Sequence, residues 1–319
     1  MKLIIQIPCY NEEETLPATL ADLPREVPGF ERVEWMVIND GSNDDTVKIA
    51  QAHGVDHIIS HHHNMGLARA FMTGLAAGVR LGADVIVNTD GDNQYKGEFI
   101  PDLVKPIIDN RAEIVIGARP IEDIEHFSPA KKLLQKLGSW VVRVASNSDI
   151  PDAPSGFRAI SREAAKQINV FNNYTYTLEM IIQAGQKNIP MTWIPIEINP
   201  VLRPTRLIKS IPSYIKRSAL TITRIFVVYK PFRFFGLIGL LMFFIGFMVG
   251  CRFLYYYFIG DGDGHIQSLI FASIMLGMGF QTMMVAFVAD LLSVNRKLME
   301  ELQYRMRDNK ITDEKPAEP

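Results

Sequence analysis

The chain has 319 residues, with 33 Lys and Arg against 35 Asp and Glu, for a formal charge of −2. That balance argues against a nucleic-acid surface covering the protein, although it leaves room for local basic patches. Cys9 and Cys251 lie far apart, Cys251 within a long apolar run, which argues against a disulfide framework or zinc cluster and fits a reducing cytoplasm.

The N-terminal MKLIIQIPCY has too short an apolar stretch for a secretory signal and reads as a first strand. LIIQIP (3–8), VEWMVIND (33–40), HIIS (57–60), DVIVNTD (84–90) and EIVIGA (113–118) read as strands. Between them, ETLPATLADL (14–23), DDTVKIAQAH (44–53), LARAFMTGLAAGVRLG (67–82) and KGEFIPDLVKPIIDN (96–110) carry helical spacing. Strand and helix taking turns predicts an α/β domain, a mostly parallel sheet with helices on both faces. Ligands of such sheets sit beyond the carboxyl ends of the strands. Both VIND and VNTDGD place their acids there.

The composition changes after about Lys230. FRFFGLIGLLMFFIGFMVGC (232–251) and IQSLIFASIMLGMGFQTMMVAFVA (266–289) each reach the ~20 apolar residues that span a bilayer core. A buried hairpin in a soluble protein is the alternative, and apolarity on all faces argues against it. The connecting GDGDGH (260–265) carries acids and no Lys or Arg. Lys209, Lys216, Arg217, Arg224, Lys230 and Arg233 precede the pair, and Arg296, Lys297, Arg305 and Arg307 follow it. The positive-inside rule then predicts a two-span protein of the cytoplasmic membrane, with the soluble domain and both termini cytoplasmic. RPTRLIKSIPSYIKRSALTITRIFVVYK (203–230) alternates cations with Ile, Leu, Tyr and Phe at helical spacing. It reads as interfacial helices facing lipid phosphates, with a solvated linker helix as the alternative. The expected divisions are 1–202, 203–231, 232–292 and 293–319, the final ITDEKPAEP being disordered.

Asp90-Gly91-Asp92 admits three readings. Asp and Gly are ordinary turn residues, so a turn with no ligand is one. A calcium loop of the EF-hand type needs Gly sixth and Glu twelfth, and those positions hold Tyr95 and Pro101. The third is a divalent cation, Mg²⁺ or Mn²⁺, bridging the acids to a substrate diphosphate and neutralising two carboxylates that otherwise repel.

IPCYNEEETL, INDGSNDDT, NMGLARAFMTGLAAG, VNTDGDNQY and SGFRAISREAA occur in that order. Together, over about residues 3–230, they resemble the family 2 glycosyltransferases of GT-A fold, in particular the polyprenyl-phosphate sugar synthases. The trailing hairpin is similar to that of the bacterial members. The resemblance implies that Pro8, Tyr10 and Glu12 cradle the nucleotide's base and ribose and that Asp40 reads the base. Asn39 stands where a second acid is commoner. It further implies that Asp90, Asp92 and Gln94 hold metal and diphosphate, Gly91 replacing a frequent Ala. Arg119 would face the phosphates, and Asp152 with Ser155–Phe157 would form the acceptor side. Lys131, Lys132 and Lys136 lie where an acceptor-binding arginine is expected. Thr205 and Arg206 lie where a Ser-Lys pair closes over the donor phosphates.

Other conspicuous residues read as structural. Consecutive His61, His62 and His63 rarely converge on one ion. Asp261 and Asp263 solvate a turn, Tyr255–Tyr257 fit an interfacial belt, and Glu179 is a buried charge partner, with a part in placing the acceptor as the alternative.

The expectation is inverting transfer of one sugar from a UDP- or GDP-linked donor to a membrane polyprenyl phosphate. Asp92, Arg119 and Asp152 are the catalytic candidates, in a homo-oligomer that touches lipid and no nucleic acid. Two alternatives stand beside it. A processive polysaccharide synthase would carry a Gln-x-x-Arg-Trp motif, which Trp35, Trp140 and Trp193 do not provide, and more spans. A membrane-tethered binding protein would not need Asp90, Asp92, Gln94 and Arg119 intact.

Overall fold

A computed structural model describes residues 1–120, 138–140, 142–144, 146–170, 176–200, 220, 223–224, 227, 229–260 and 263–313. The chain divides into two units, Met1–Ser218 with Leu302–Pro319, and Ala219–Glu301.

The first unit is built on a seven-stranded sheet. In chain order its elements are β1 (Lys2–Cys9), α1 (Leu16–Asp22), β2 (Arg32–Asn39), α2 (Thr46–Ala52), β3 (His57–Ser60), α3 (Leu67–Arg80), β4 (Val85–Asn88), α4 (Ile100–Ile108), β5 (Ile114–Ala118), β6 (Arg158–Ser161), α5 (Arg162–Gln167), α6 (Tyr176–Gln186) and β7 (Met191–Pro195). The strand order is β3-β2-β1-β4-β6-β5-β7. β1 pairs in parallel with both β2 and β4, and β5 with β7, while β6 runs antiparallel between β4 and β5. The sheet is therefore mostly parallel, as the alternation of elements predicts.

The central strands show why apolar runs become strands here. Leu3, Ile4, Ile5 and Ile7 of β1 and Val85–Val87 of β4 have no solvent exposure, the signature of strands covered on both faces. Leu16, Leu20, Leu103, Val104 and Ile107 from α1 and α4 join Leu3, Ile5, Ile7 and Val87 in one cluster. Each fully buried aliphatic side chain there contributes roughly 1.5–3 kcal/mol.

Two strands, β6 and β7, fall outside the elements read from sequence. β6 is four residues long and opens with an arginine, and β7 alternates half-buried and exposed positions at the sheet edge. Strand order reverses between β1 and β4, one chain turn going to β2 and the other to β4. Open α/β sheets bind ligands at such a switch point.

The second unit holds α7 (Pro231–Ile259) and, as far as Glu301, α8 (Ile266–Asp313), with Asp263–His265 in a 3₁₀ turn between them. Pro231–Ile259 and Ile266–Arg296 are long and apolar enough to cross a membrane. At 1.5 Å per residue each exceeds ~40 Å. Leu237, Leu241, Phe244, Phe247 and Phe258 are exposed on α7, whereas its Gly239 and Gly246 are buried. A methyl on Gly239 would lie 2.9 Å from the Gly279 carbonyl, and one on Gly279 2.6 Å from the Phe243 nitrogen. Small residues thus bring the two backbones together, the packing that helices use where no hydrophobic drive exists between them. Phe232 meets Phe287 edge-on at 5.2 Å, and Tyr256 packs on His265 at 4.0 Å. α8 continues without a break past 292 and through Ile311–Asp313, residues expected from sequence to be tail. Most of 203–230 lies outside the described residues.

Candidate active site

The Asp90-Gly91-Asp92 segment leaves the carboxyl end of β4 at the switch point. Its turn is held from below, where the hydroxyls of Thr15 and Thr19 donate to the Gly91 carbonyl at 2.9 and 3.1 Å. The Gln94 N–H donates to Asp92 Oδ1 at 3.1 Å, and Asn93 turns the chain with φ 56°. A methyl at Gly91 would sit 3.1 Å from Cys9 Sγ and 3.3 Å from Glu12 Cγ, so the space around the turn is tight. Asp90 retains some surface toward the cleft yet lies deep in the domain. Burial, then the Asp92 charge, pushes its carboxyl up to about 7, with Glu12 adding and Arg119 and Arg158 opposing.

These residues fit a hard divalent cation. Asp90, Asp92 and Gln94 offer oxygen ligands only, the donor set Mg²⁺ and Mn²⁺ prefer. The raised Asp90 carboxyl marks negative charge short of a partner, and Asn93 Oδ1 is a buried oxygen without a hydrogen bond. Among the described residues no three His, Cys, Asp or Glu gather into a metal cluster; a cation here would take only part of its coordination shell from these acids.

Because β6 is antiparallel, its entry rather than its exit lies at the carboxyl edge, with Arg158 beside Asn88 of β4. The 152–157 segment therefore arrives next to the acids. Gly156 lies directly against Asp90. A methyl there would meet Asp90 Oδ2 at 2.9 Å, Oδ1 at 3.0 Å and Tyr176 Oη at 3.1 Å. The Gly156 peptide is held on both sides, its N–H donating to Tyr95 Oη at 2.9 Å and its carbonyl accepting from Asn88 Nδ2 at 2.8 Å. Asn88 Nδ2 also donates to Tyr176 Oη, and Asn88 Oδ1 accepts from Gln6 Nε2. Burial, with a smaller contribution from the nearby acids, pushes the Tyr95 hydroxyl up to about 12, so it stays protonated.

Arg119, at the end of β5, and Asp152 find each other. Nε and Nη2 of Arg119 donate to Asp152 Oδ2 and Oδ1 at 2.7 and 3.0 Å, and the Arg119 N–H adds a bond of 3.2 Å. The pair is nearly closed to solvent, at 8% and 1% exposure, and the two-point geometry fixes the guanidinium plane.

On the β1–β2 side, Pro8 ends within β1, Tyr10 is 40% exposed, and Glu12 accepts from the Thr15 hydroxyl at 2.7 Å. Asp40 is buried, accepting from the Met65 and Gly66 N–H groups at 2.9 and 2.8 Å and from His61 Nδ1 at 2.7 Å. Its first visible task is to draw in the loop that opens α3. His61 Nδ1 faces that carboxylate, and its Nε2 lies 3.0 Å from Thr73 Oγ1. His62 and His63 are exposed. Glu179 is buried on α6 beside Gln183 Nε2 at 3.5 Å. Lys131, Lys132, Lys136, Thr205, Arg206 and Asp261 lie outside the described residues.

Sequence reading missed Asn88, Tyr95, Tyr176 and Arg158. Its available signals were a polar residue closing the apolar VIVN and an arginine opening the apolar AIS.

Residues 4–168 match the Glycosyl transferase family 2 profile. The undecaprenyl-phosphate mannosyltransferase of Micrococcus luteus is 26% identical over 206 residues, covering 61% of this chain and 83% of that protein. The UDP-N-acetylglucosamine–dolichyl-phosphate N-acetylglucosaminyltransferase of Methanococcus voltae is 28% identical over 213 residues, 60% of this chain and 83% of that one. Among solved structures, glucosyl-3-phosphoglycerate synthase of Mycobacterium tuberculosis, with Mn²⁺, UDP-glucose and phosphoglyceric acid, superposes with a TM-score of 0.54 at 20% identity. It covers 69% of this chain and 79% of that one, a likeness of fold.

Proposed function

The chain belongs to glycosyl transferase family 2 and is a glycosyltransferase; from that premise we propose that it transfers one sugar, with inversion, from a UDP- or GDP-sugar to a membrane polyprenyl phosphate. The observation that carries this reading is the acid pair at the switch point, short of positive charge and beside a bound arginine. The two curated relatives, named for lipid-phosphate acceptors, support it, as do the two long apolar helices.

Pro8, Tyr10, Glu12 and Asp40 would border the nucleoside, and Arg206 the donor phosphates. A Mg²⁺ or Mn²⁺ on Asp90, Asp92 and Gln94 would neutralise charge growing on the departing diphosphate. A lipid phosphate is already anionic near neutral pH, so it can attack the anomeric carbon without a protein base. Catalysis then rests on orientation and charge. Arg119, its plane fixed by Asp152, would orient that phosphate.

The reading is tested by incubating the full chain with a panel of nucleotide-sugars and either polyprenyl phosphate or bare polyprenol, and weighing the lipid product. One hexose should appear on the phosphate alone. Transfer to the alcohol, a growing glycan or a protein would overturn it.

Two further outcomes follow from the geometry. Gly156→Ala should displace Asp90 and cut turnover on the order of 10²-fold, the scale of a ~1 Å misplacement at a reacting centre. An unchanged rate in a variant with an unchanged melting temperature would remove Gly156 from the site. For topology, Gly264→Cys, at the turn between α7 and α8, should react with an impermeant thiol reagent in intact cells, as basic flanks and a cation-free turn require. Labelling only after lysis would reverse the orientation.

A further inference from the structure

Arg158 heads the fully buried side chains by size, with no solvent exposure. Its three nitrogens donate to three backbone carbonyls: Nε to Ser155 at 2.8 Å, Nη1 to Thr177 at 2.8 Å and Nη2 to Ala153 at 2.7 Å. Nη1 also meets Met180 Sδ at 3.5 Å, and the guanidinium lies 5.8 Å from the centre of the Tyr176 ring. Among the described residues no carboxylate forms an ion pair with it. A desolvated cation without a paired anion is costly, and three carbonyls could be satisfied by neutral donors. Hydrogen bonding alone does not account for the charge.

Burial holds the Arg158 guanidinium below its usual range, and Tyr176, Tyr95, Asp152 and Asp90 oppose that fall. Asp152 already spends both oxygens on Arg119. Among the described residues Asp90 meets no such fork, and its carboxylate oxygens lie 2.9 and 3.0 Å from where a methyl on Gly156 would stand, the residue that follows the Ser155 carbonyl gripped by Arg158. The same guanidinium reaches the start of α6 through Thr177, one residue after the Tyr176 whose hydroxyl closes the other side of Gly156. One buried fork thus fixes both pieces of backbone that shape the floor under Asp90.

We propose that Arg158 is a positioning residue for sugar transfer. It holds residues 153–156 as the seat of the Asp90 carboxylate and lends buried positive charge to the diphosphate cradle. The inference rests on the donor site assigned above to Asp90 and Asp92. It separates two duties, geometry and charge, that two variants can divide. Arg158→Lys keeps the charge and offers one ammonium where three directed donors stood. Arg158→Gln keeps an amide donor and loses the charge.

The test uses the full chain in detergent, with UDP and GDP titrated by calorimetry at saturating Mn²⁺, Mn²⁺ titrated alone, and donor KM and kcat measured separately. If the unsubstituted protein binds neither nucleotide, the donor-site reading itself falls. Given that it binds, Arg158→Lys should hold nucleotide affinity and donor KM within about threefold while kcat drops at least tenfold, the mark of an interaction needed only at the transition state. Arg158→Gln should weaken nucleotide binding by about tenfold and leave Mn²⁺ binding alone unchanged or tighter, since loss of a cation disfavours an anion and not a metal. Should the Gln variant fail to fold, the kcat-against-KM split of the Lys variant decides. Parallel loss of nucleotide binding, Mn²⁺ binding and kcat that tracks the melting temperature would make Arg158 merely structural and overturn the proposal. So would a Lys variant that turns over at the normal rate.

Discussion

Asp92→Asn is expected to slow sugar transfer by roughly a thousandfold, about 4 kcal/mol of lost transition-state stabilisation. The substitution removes one of the two charges assigned above to the proposed diphosphate cradle and changes little else. Asp92 Oδ1 accepts the Gln94 N–H, and an asparagine oxygen can accept the same bond, so the turn should keep its shape and the melting temperature should hold. The unsubstituted enzyme in chelator should fall to a similar rate, because in both cases charge on the leaving diphosphate goes unanswered. Initial rates across a Mn²⁺ titration check both arms. Full turnover by the variant, or in chelator, would show that the acid pair serves no cation.

Asp90→Asn should do the reverse of what most buried substitutions do and steady the metal-free protein at alkaline pH. The sign follows from the raised carboxyl, about 7 in the fold against roughly 4 in an unfolded chain. Between those values the folded protein holds a proton that the unfolded chain has released. The Asp90 contribution to stability is therefore complete below about pH 4 and is lost as pH rises through about 7. A shift of this size puts roughly 2–4 kcal/mol at stake. Thermal unfolding in chelator should show a melting temperature that declines from pH 5 to 8 in the unsubstituted protein, with that decline flattened in Asp90→Asn. Mn²⁺ at pH 8 should raise the melting temperature of the first and leave the second nearly unmoved. Superimposable pH profiles would place Asp90 outside the strained pair.

The parts of this molecule legible in sequence are those whose cause is local. β1, β2, β4 and β5 announce themselves because buried strands need apolar runs, which Val85–Val87 supplies unbroken and Leu3–Ile7 with only the buried Gln6 interrupting; β3, half-exposed at the sheet edge, shows only its Ile58-Ile59 pair. The acids at Asp40, Asp90 and Asp92 are visible because each follows such a run within a few residues. β6 escapes because an arginine opens it, and arginine reads as surface until one sees the three carbonyls around it. β7 escapes because an edge strand with Trp193 exposed at 42% has no continuous pattern. Tyr95 and Tyr176 are missed for a different reason. Their partners, Gly156 and Asn88, lie 61 and 88 positions away in the chain, and no spacing rule connects them. Asp152 and Arg119 were each singled out, but their pairing belongs to the crossing of β5 and the segment before β6.

The antiparallel placement of β6 also governs how the protein can be made. β4 sits in the middle of the finished sheet, yet the strand that covers its second edge pairs Asn88 with Arg158, and that strand leaves the ribosome only after β5 and the long segment behind it. Until then Val85–Val87 presents bare amide and carbonyl groups on an apolar strand, the kind of edge that recruits foreign strands. A nascent chain paused after Ala118, or a fragment ended there, should therefore be prone to aggregate and depend on chaperones. The Asp90–Asp92 turn cannot acquire its floor before synthesis has passed residue 158.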